Sequence, residues 1–79
     1  MRATEPATAK AIKTTDRELV IVLPDSEVRI PWRRCSPRLA AATADQRRKA
    51  ILSPGGYGIH WPLLDEDLSV EGLLGARGA

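Results

Sequence analysis

The sequence predicts a small α+β domain: an antiparallel sheet of three N-terminal strands plus a C-terminal hairpin, one or two short helices on one face, and a short C-terminal helix. Three observations carry that reading. The runs at residues 18–23 (ELVIVL) and 27–32 (EVRIPW) are rich in β-formers and are separated only by Pro24, Asp25 and Ser26. Two helix-start patterns follow, Ser36-Pro37 and Thr43-Ala44-Asp45-Gln46. A second hairpin pattern, residues 51–61, turns at Pro54, Gly55 and Gly56. Hairpins dominate the chain, so the helices are expected against one side of an antiparallel sheet.

Taken in order, residues 1–8 read as a polar, flexible tail, and residues 9–79 as a single small domain. Residues 9–13 (AKAIK) are a candidate first strand and 14–17 a turn. Residues 18–23 are apolar on both faces, which suits a central strand covered on both sides. Proline presets a backbone angle at Pro24, and Asp25 or Ser26 can bond the local backbone, so a turn follows. Val28, Ile30 and Trp32 then alternate with Glu27, Arg29 and Pro31. Pro31 has no amide donor, which places this strand at an edge or marks its end.

Ser36 is a good N-cap and Pro37 suits the first helical position. Thr43 with Gln46 has the capping-box form, so a break is expected there and a second helix over 44–50. Asp45 early and Arg47, Arg48 and Lys49 late agree with the helix dipole. A single continuous helix is the alternative. Residues 51–53 form a short strand that pairs with 57–61.

In the closing stretch Tyr57, Ile59 and Trp61 fall on one side of an extended chain and Gly58, His60 and Pro62 on the other. Asp65, Glu66 and Asp67 read as a solvated loop. Ser69 caps a last helix over 70–74, with Leu68 reaching Leu73 as a hydrophobic staple. So short a helix must dock through Val70, Leu73 and Leu74. Ile21, Val28, Ile30, Ile59 and Trp61 are the expected core.

Composition narrows the function classes. One cysteine excludes an internal disulfide and a Cys-rich zinc site. The longest apolar run is far too short to span a membrane, and residues 1–8 lack the apolar stretch of a secretory signal. A cytoplasmic location is therefore expected. The net charge of +2 hides an uneven layout. Residues 33–49 hold six basic side chains against Asp45, whereas residues 50–76 hold four acids and no Lys or Arg.

The segment 56–74, GYGIHWPLLDEDLSVEGLL, resembles the closing signature of a small prokaryotic domain-of-unknown-function family, numbered twenty-four forty-two. Ser36-Pro37-Arg38-Leu39 and Thr43-Ala44-Asp45-Gln46-Arg47 are similar to that family's upstream elements, and the likeness runs over residues 12–75. Ala50, Arg34 and Cys35 stand where aromatic residues are common in relatives, and Pro54 where glycine is. The resemblance implies an α+β fold with an antiparallel sheet. Some relatives precede a helix-turn-helix domain and others are encoded beside small toxin-like proteins, which implies a regulatory or antitoxin-like accessory.

The candidate sites each carry a plainer alternative. Tyr57, His60, Trp61, Asp65, Glu66 and Asp67 form a candidate partner-binding set. His60 equally fits a structural imidazole bonded to nearby carboxylates. The three acids lack the spacing of a calcium loop and suit a solvated turn. Arg33, Arg34, Arg38, Arg47, Arg48 and Lys49 are candidate phosphate contacts, or simply a solvated face; only Trp32 lies near them as a stacking partner. Cys35 beside two arginines fits an activated thiolate, or a small packing residue. No motif calls for a cofactor or a metal, and no nucleophile, base and orienting group fall together, so no enzyme is expected. The expected function is a protein-interaction or regulatory module, the alternative a nucleic-acid-associated regulator using the basic patch. A homodimer joined through Trp32, Leu39 or the last helix would supplement so small a core.

Overall fold

The computed structural model describes residues 7–76. Strands β1 (Ala11–Thr14), β2 (Glu18–Val22) and β3 (Glu27–Pro31) form one antiparallel sheet in that order. Three short helices follow: α1 (Trp32–Cys35), α2 (Pro37–Ala40) and α3 (Ala44–Arg48). A second antiparallel sheet is built from β4 (Ile51–Leu52), β5 (Gly58–Trp61) and β6 (Glu66–Ser69), and α4 (Val70–Ala76) closes the fold. The fold is α+β with antiparallel sheets and short helices, as the sequence predicts. The expected tail over residues 1–8 lies mostly outside the described residues.

The C-terminal hairpin does not extend the first sheet. A four-residue loop after Trp61 ends at Asp65, whose φ of 51° is a left-handed conformation that Asp tolerates. The chain therefore doubles back, and Glu66 pairs with Trp61, Asp67 with His60 and Leu68 with Ile59. Strand β5 thus has a partner on each side. Of the acidic segment expected as a loop, Asp65 lies in the loop, and Glu66 and Asp67 lie in β6.

Strand alternation explains the core. Ile12, Ile21 and Val28 make one rung of the first sheet, and Thr14, Leu19 and Ile30 the next. Leu19, Ile21, Val28 and Ile30 pack with Trp32, Leu39, Ile59, Trp61, Val70 and Leu73 in a single buried cluster fed by both sheets and three helices. The expected core residues are all in it. On the other face Val20 is buried between Lys13 and Arg29, its cross-strand neighbours. Lys13 pairs with Glu27 at 3.2 Å and Arg29 with Glu18 at 3.2 Å. These exposed pairs add at most about 1 kcal/mol each; the aliphatic stems of such side chains cover apolar surface beneath them.

Backbone bonds stitch the sheets together. Ala9 N–H donates to Gly56 O and Lys10 N–H to Val22 O, both at 2.8 Å, so one short segment touches both sheets. Val70 N–H donates to Tyr57 O, docking α4 to the start of β5.

The helix boundaries follow their caps. Ser36 Oγ accepts from Leu39 N–H, with Pro37 at the first helical position. Thr43 Oγ1 accepts from Gln46 N–H at 3.1 Å while Gln46 Oε1 accepts from Thr43 N–H at 2.9 Å, a complete capping box that separates α2 from α3. Helix α3 stops at Arg48, two residues short of the expected end. Thr43→Ala is expected to lower stability by about 1 kcal/mol in urea unfolding, with Thr43→Ser close to neutral.

Trp32, Leu39 and Leu73 are 3%, 0% and 3% exposed. They are consumed by the chain's own core, and of the residues expected at a dimer contact Leu74 alone is half-buried. Among the described residues, the large apolar side chains that remain exposed are Ile51, Tyr57 and Leu63.

Candidate functional site

Two indoles and one guanidinium tie the helices to both sheets. Trp32, at the start of α1, donates its Nε1–H to Thr15 O at 2.9 Å. Trp61, at the end of β5, donates its own to Arg47 O at 3.2 Å. The rings meet edge to face, with centroids 6.4 Å apart and planes at 81°, a favoured aromatic geometry. Arg47 Cζ lies 5.5 Å from the Trp32 ring centroid, and its Nε–H and Nη2–H donate to Leu39 O and Ala40 O, both at 2.9 Å. Those carbonyls belong to the last turn of α2, where a cation is favoured.

This geometry takes the sequence's basic patch apart. Arg47 is half-buried and committed to α2. Arg48 pairs with Asp45 at 2.7 Å, and Arg38 donates to Leu64 O at 2.9 Å. Arg33, Arg34, Arg38, Arg48 and Lys49 are all exposed. Arg33 and Arg47 also line a cleft of about 450 Å³ with Asp16, Arg17, Glu18, Pro31, Trp32 and Ala40. Arg17 and Asp16 were invisible as members of this group, because they sit on the β1–β2 turn, far from residues 33–49 in sequence.

The second sheet presents a different surface. Directly opposed residues of an antiparallel pair point to the same side, so Ile51, His60 and Asp67 form one rung on the outer face. His60 Nδ1 lies 2.8 Å from Asp67 Oδ1, with the ring N–H as donor to the carboxylate. Ile51 is 55% exposed beside them. Asp65 is exposed in the adjoining loop, and Glu66 is half-buried at the start of β6. Tyr57 is also solvent-facing, although alternation placed it inward with Ile59 and Trp61. It precedes β5 in a helical backbone conformation, φ −87° and ψ −26°, which takes its side chain out of the strand's alternation. Trp61, fully buried, belongs to the core and not to any contact surface.

Cys35 is half-buried, its thiol 3.9 Å from Ile30 O. Burial pushes the thiol up to about 11, outweighing the nearby Arg47 charge, so it stays protonated at neutral pH. The activated-thiolate reading therefore loses to packing. Among the described residues no three His, Cys, Asp or Glu side chains are grouped to hold a metal ion, and no helix is long and apolar enough to cross a membrane.

Comparison with known proteins supplies a family and a fold. No curated protein matches the chain. A solved structure from Rhodospirillum rubrum, described as a protein of unknown function, is similar over 91% of this chain and 88% of its own, with 29% identity and a TM-score of 0.76. Residues 9–78 match the family model described as "Protein of unknown function (DUF2442)". That match covers most of the chain and agrees with the family resemblance of its sequence: the chain belongs to the DUF2442 family.

Proposed function

We propose that this domain is a non-enzymatic protein-interaction module that holds a partner through the outer face of its second sheet. The observation that carries the reading is the Ile51–His60–Asp67 rung. An exposed apolar side chain sits on a two-residue edge strand, beside an imidazole and a carboxylate that are already oriented by each other. Exposed apolar anchors with polar neighbours are the usual make-up of a contact patch. The acids Asp65 and Asp67 suit a partner with a basic rim and an apolar pocket for Ile51, whereas Glu66 opposes the buried Trp61 and lies toward the inner side. The protonated Cys35 thiol supports a non-enzymatic role, since the chain's one cysteine is not a ready nucleophile. A small toxin-like protein, with this chain as its antitoxin-like accessory or regulator, is the finer form of the proposal. It rests on the family resemblance.

The test is quantitative capture of one identified partner by the immobilised chain. Ile51→Arg and His60→Ala are each expected to weaken binding of that same protein at least tenfold, while Arg48→Ala leaves it unchanged. Equal capture by all variants would place the interface elsewhere.

The alternative is a nucleic-acid-associated regulator using Arg33, Arg34, Arg38, Arg47, Arg48 and Lys49. Its support is the excess of cations in that segment. Against it stand the commitment of Arg47 to α2 and the burial of Trp32, which leaves no stacking platform there. Fluorescence anisotropy with duplex and single-stranded probes is expected to show weak, sequence-independent binding at most. That binding should vanish as salt rises from about 50 to 200 mM. A tight complex that discriminates between sequences at physiological salt would put this alternative first.

A further inference from the structure

We propose that the cleft between the β1–β2 turn and helices α1 to α3 is a binding site for a carboxylate group, held by Arg17, Arg33 and Arg47. The site lies on the first sheet and its helices, and it stands or falls independently of the second-sheet surface. Its volume, about 450 Å³, falls within the range of roughly 300–1,000 Å³ common for small-ligand sites.

Three arginines line it from three separate elements: the β1–β2 turn, α1 and α3. None of the three forms an ion pair with another of the described residues, in contrast to Arg29 and Arg48. Arg47 is a preorganised cation. Of the five N–H donors of a guanidinium, two are fixed on Leu39 O and Ala40 O, and the ring of Trp32 holds the group in place.

The opposite wall is equally fixed. Trp32 Nε1–H donates to Thr15 O and Trp32 N–H to Arg17 O, while Thr15 Oγ1 accepts from the backbone N–H groups of Arg17 and Glu18. A ligand entering the cleft meets walls that need little ordering, which favours binding.

The charge and shape of the lining select the ligand class. Asp16 and Glu18 also line the cleft, so its formal charge is that of three arginines against two carboxylates. Glu18 is already paired with Arg29 at 3.2 Å, which leaves Asp16 as the lining carboxylate without an ion pair among the described residues. The excess of positive charge matches an anion, and the unpaired Asp16 on the rim disfavours the second charge of a phosphate dianion. The planar guanidinium fork matches the two oxygens of a carboxylate. Trp32 is 3% exposed and offers no open face to a nucleobase, which argues against a nucleotide. The carboxylate has two possible sources: a free small organic acid, or an acidic side chain or C-terminus of a peptide.

Two-dimensional amide NMR on the whole chain, at constant ionic strength, tests the site with four probes: acetate, an end-capped glutamate tripeptide, inorganic phosphate and chloride. Saturable shifts are expected at the Trp32 indole N–H and at the Arg17 and Arg33 amides with a carboxylate probe. Saturation with acetate as well as the tripeptide supports a free acid, and saturation with the tripeptide alone supports a peptide source. Arg33→Ala, an exposed position, should weaken the effect at least fivefold, and Arg17→Ala with Arg33→Ala should abolish it; Arg48→Ala should leave it intact. Absence of saturation with both carboxylate probes overturns the proposal. So does tighter binding of phosphate or chloride, or full binding by the double variant.

Discussion

Trp61→Ala is expected to lower the unfolding free energy by about 3–5 kcal/mol, the range for deleting a buried aromatic side chain. For a domain of 79 residues, whose whole stability is roughly 4–12 kcal/mol, that change unfolds a large share of molecules at moderate temperature. The size follows from what the ring touches. It is fully buried, lies edge-on to Trp32, and gives its N–H to Arg47 O. Its loss removes core volume and leaves a carbonyl without its donor at the point where β5 meets α3. Trp61→Phe keeps an aromatic ring and is expected to cost less, about 2 kcal/mol, chiefly through that carbonyl. Urea unfolding measures both; a loss of only a few tenths for the alanine variant would show Trp61 to be dispensable to the core.

The second large effect comes from Gly56. Its φ is +79°, and a Cβ there would lie 2.2 Å from Ala9 O and 3.0 Å from Ala9 N. An alanine meets two penalties: the left-handed backbone, about 1–2 kcal/mol, and displacement of a backbone segment that bonds to Gly56 O. Gly56→Ala is therefore expected to cost about 2–4 kcal/mol and to loosen Ala9 and Lys10 from both sheets. Gly55→Ala supplies the control. Its φ is +85°, but the nearest atoms belong to the exposed Tyr57 ring, which can move. It should carry the backbone penalty alone. Hydrogen exchange at the Ala9 and Lys10 amides separates the two: fast in Gly56→Ala, protected in Gly55→Ala. Equal protection in both would mean that the close approach at Ala9 is not what requires glycine at 56.

The sequence carried the elements whose local chemistry is strong. The β2–β3 hairpin has β-branched strands and a proline turn, and the α2 and α3 starts have side chains that satisfy free backbone amides. Both survive into the structure in nearly the expected register. Weak local signals failed. Helix α1 is a single turn, too short to show a period. Strand β6 reads EDLS, where Leu68 is the one apolar residue and the acids suggest only solvent. It becomes a strand because Asp65 adopts a left-handed turn and β5 offers a free edge. Tyr57 was misread by carrying the alternation one residue beyond the strand, into a helical backbone.

The candidate sites show the same division. His60 and Asp67 are seven apart in sequence, and only the β5–β6 pairing opposes them. The basic run predicts a basic face only if every cation points outward. Arg47 instead turns back over Trp32 to the end of α2, and Arg17 joins Arg33 from a distant turn. Charge counts along a sequence cannot show which cations the fold will use for itself.

The most direct test of the interaction reading places a photo-crosslinking benzoylphenylalanine at Ile51 in the full chain, irradiated in the source cells. Asp25, exposed on the β2–β3 turn, serves as the control position. The expected result is one protein joined at high yield from position 51 and not from 25, with the yield falling at least tenfold when His60→Ala is added. No crosslink from 51, or the same products from both positions, would contradict a partner-binding role for the outer face of the second sheet.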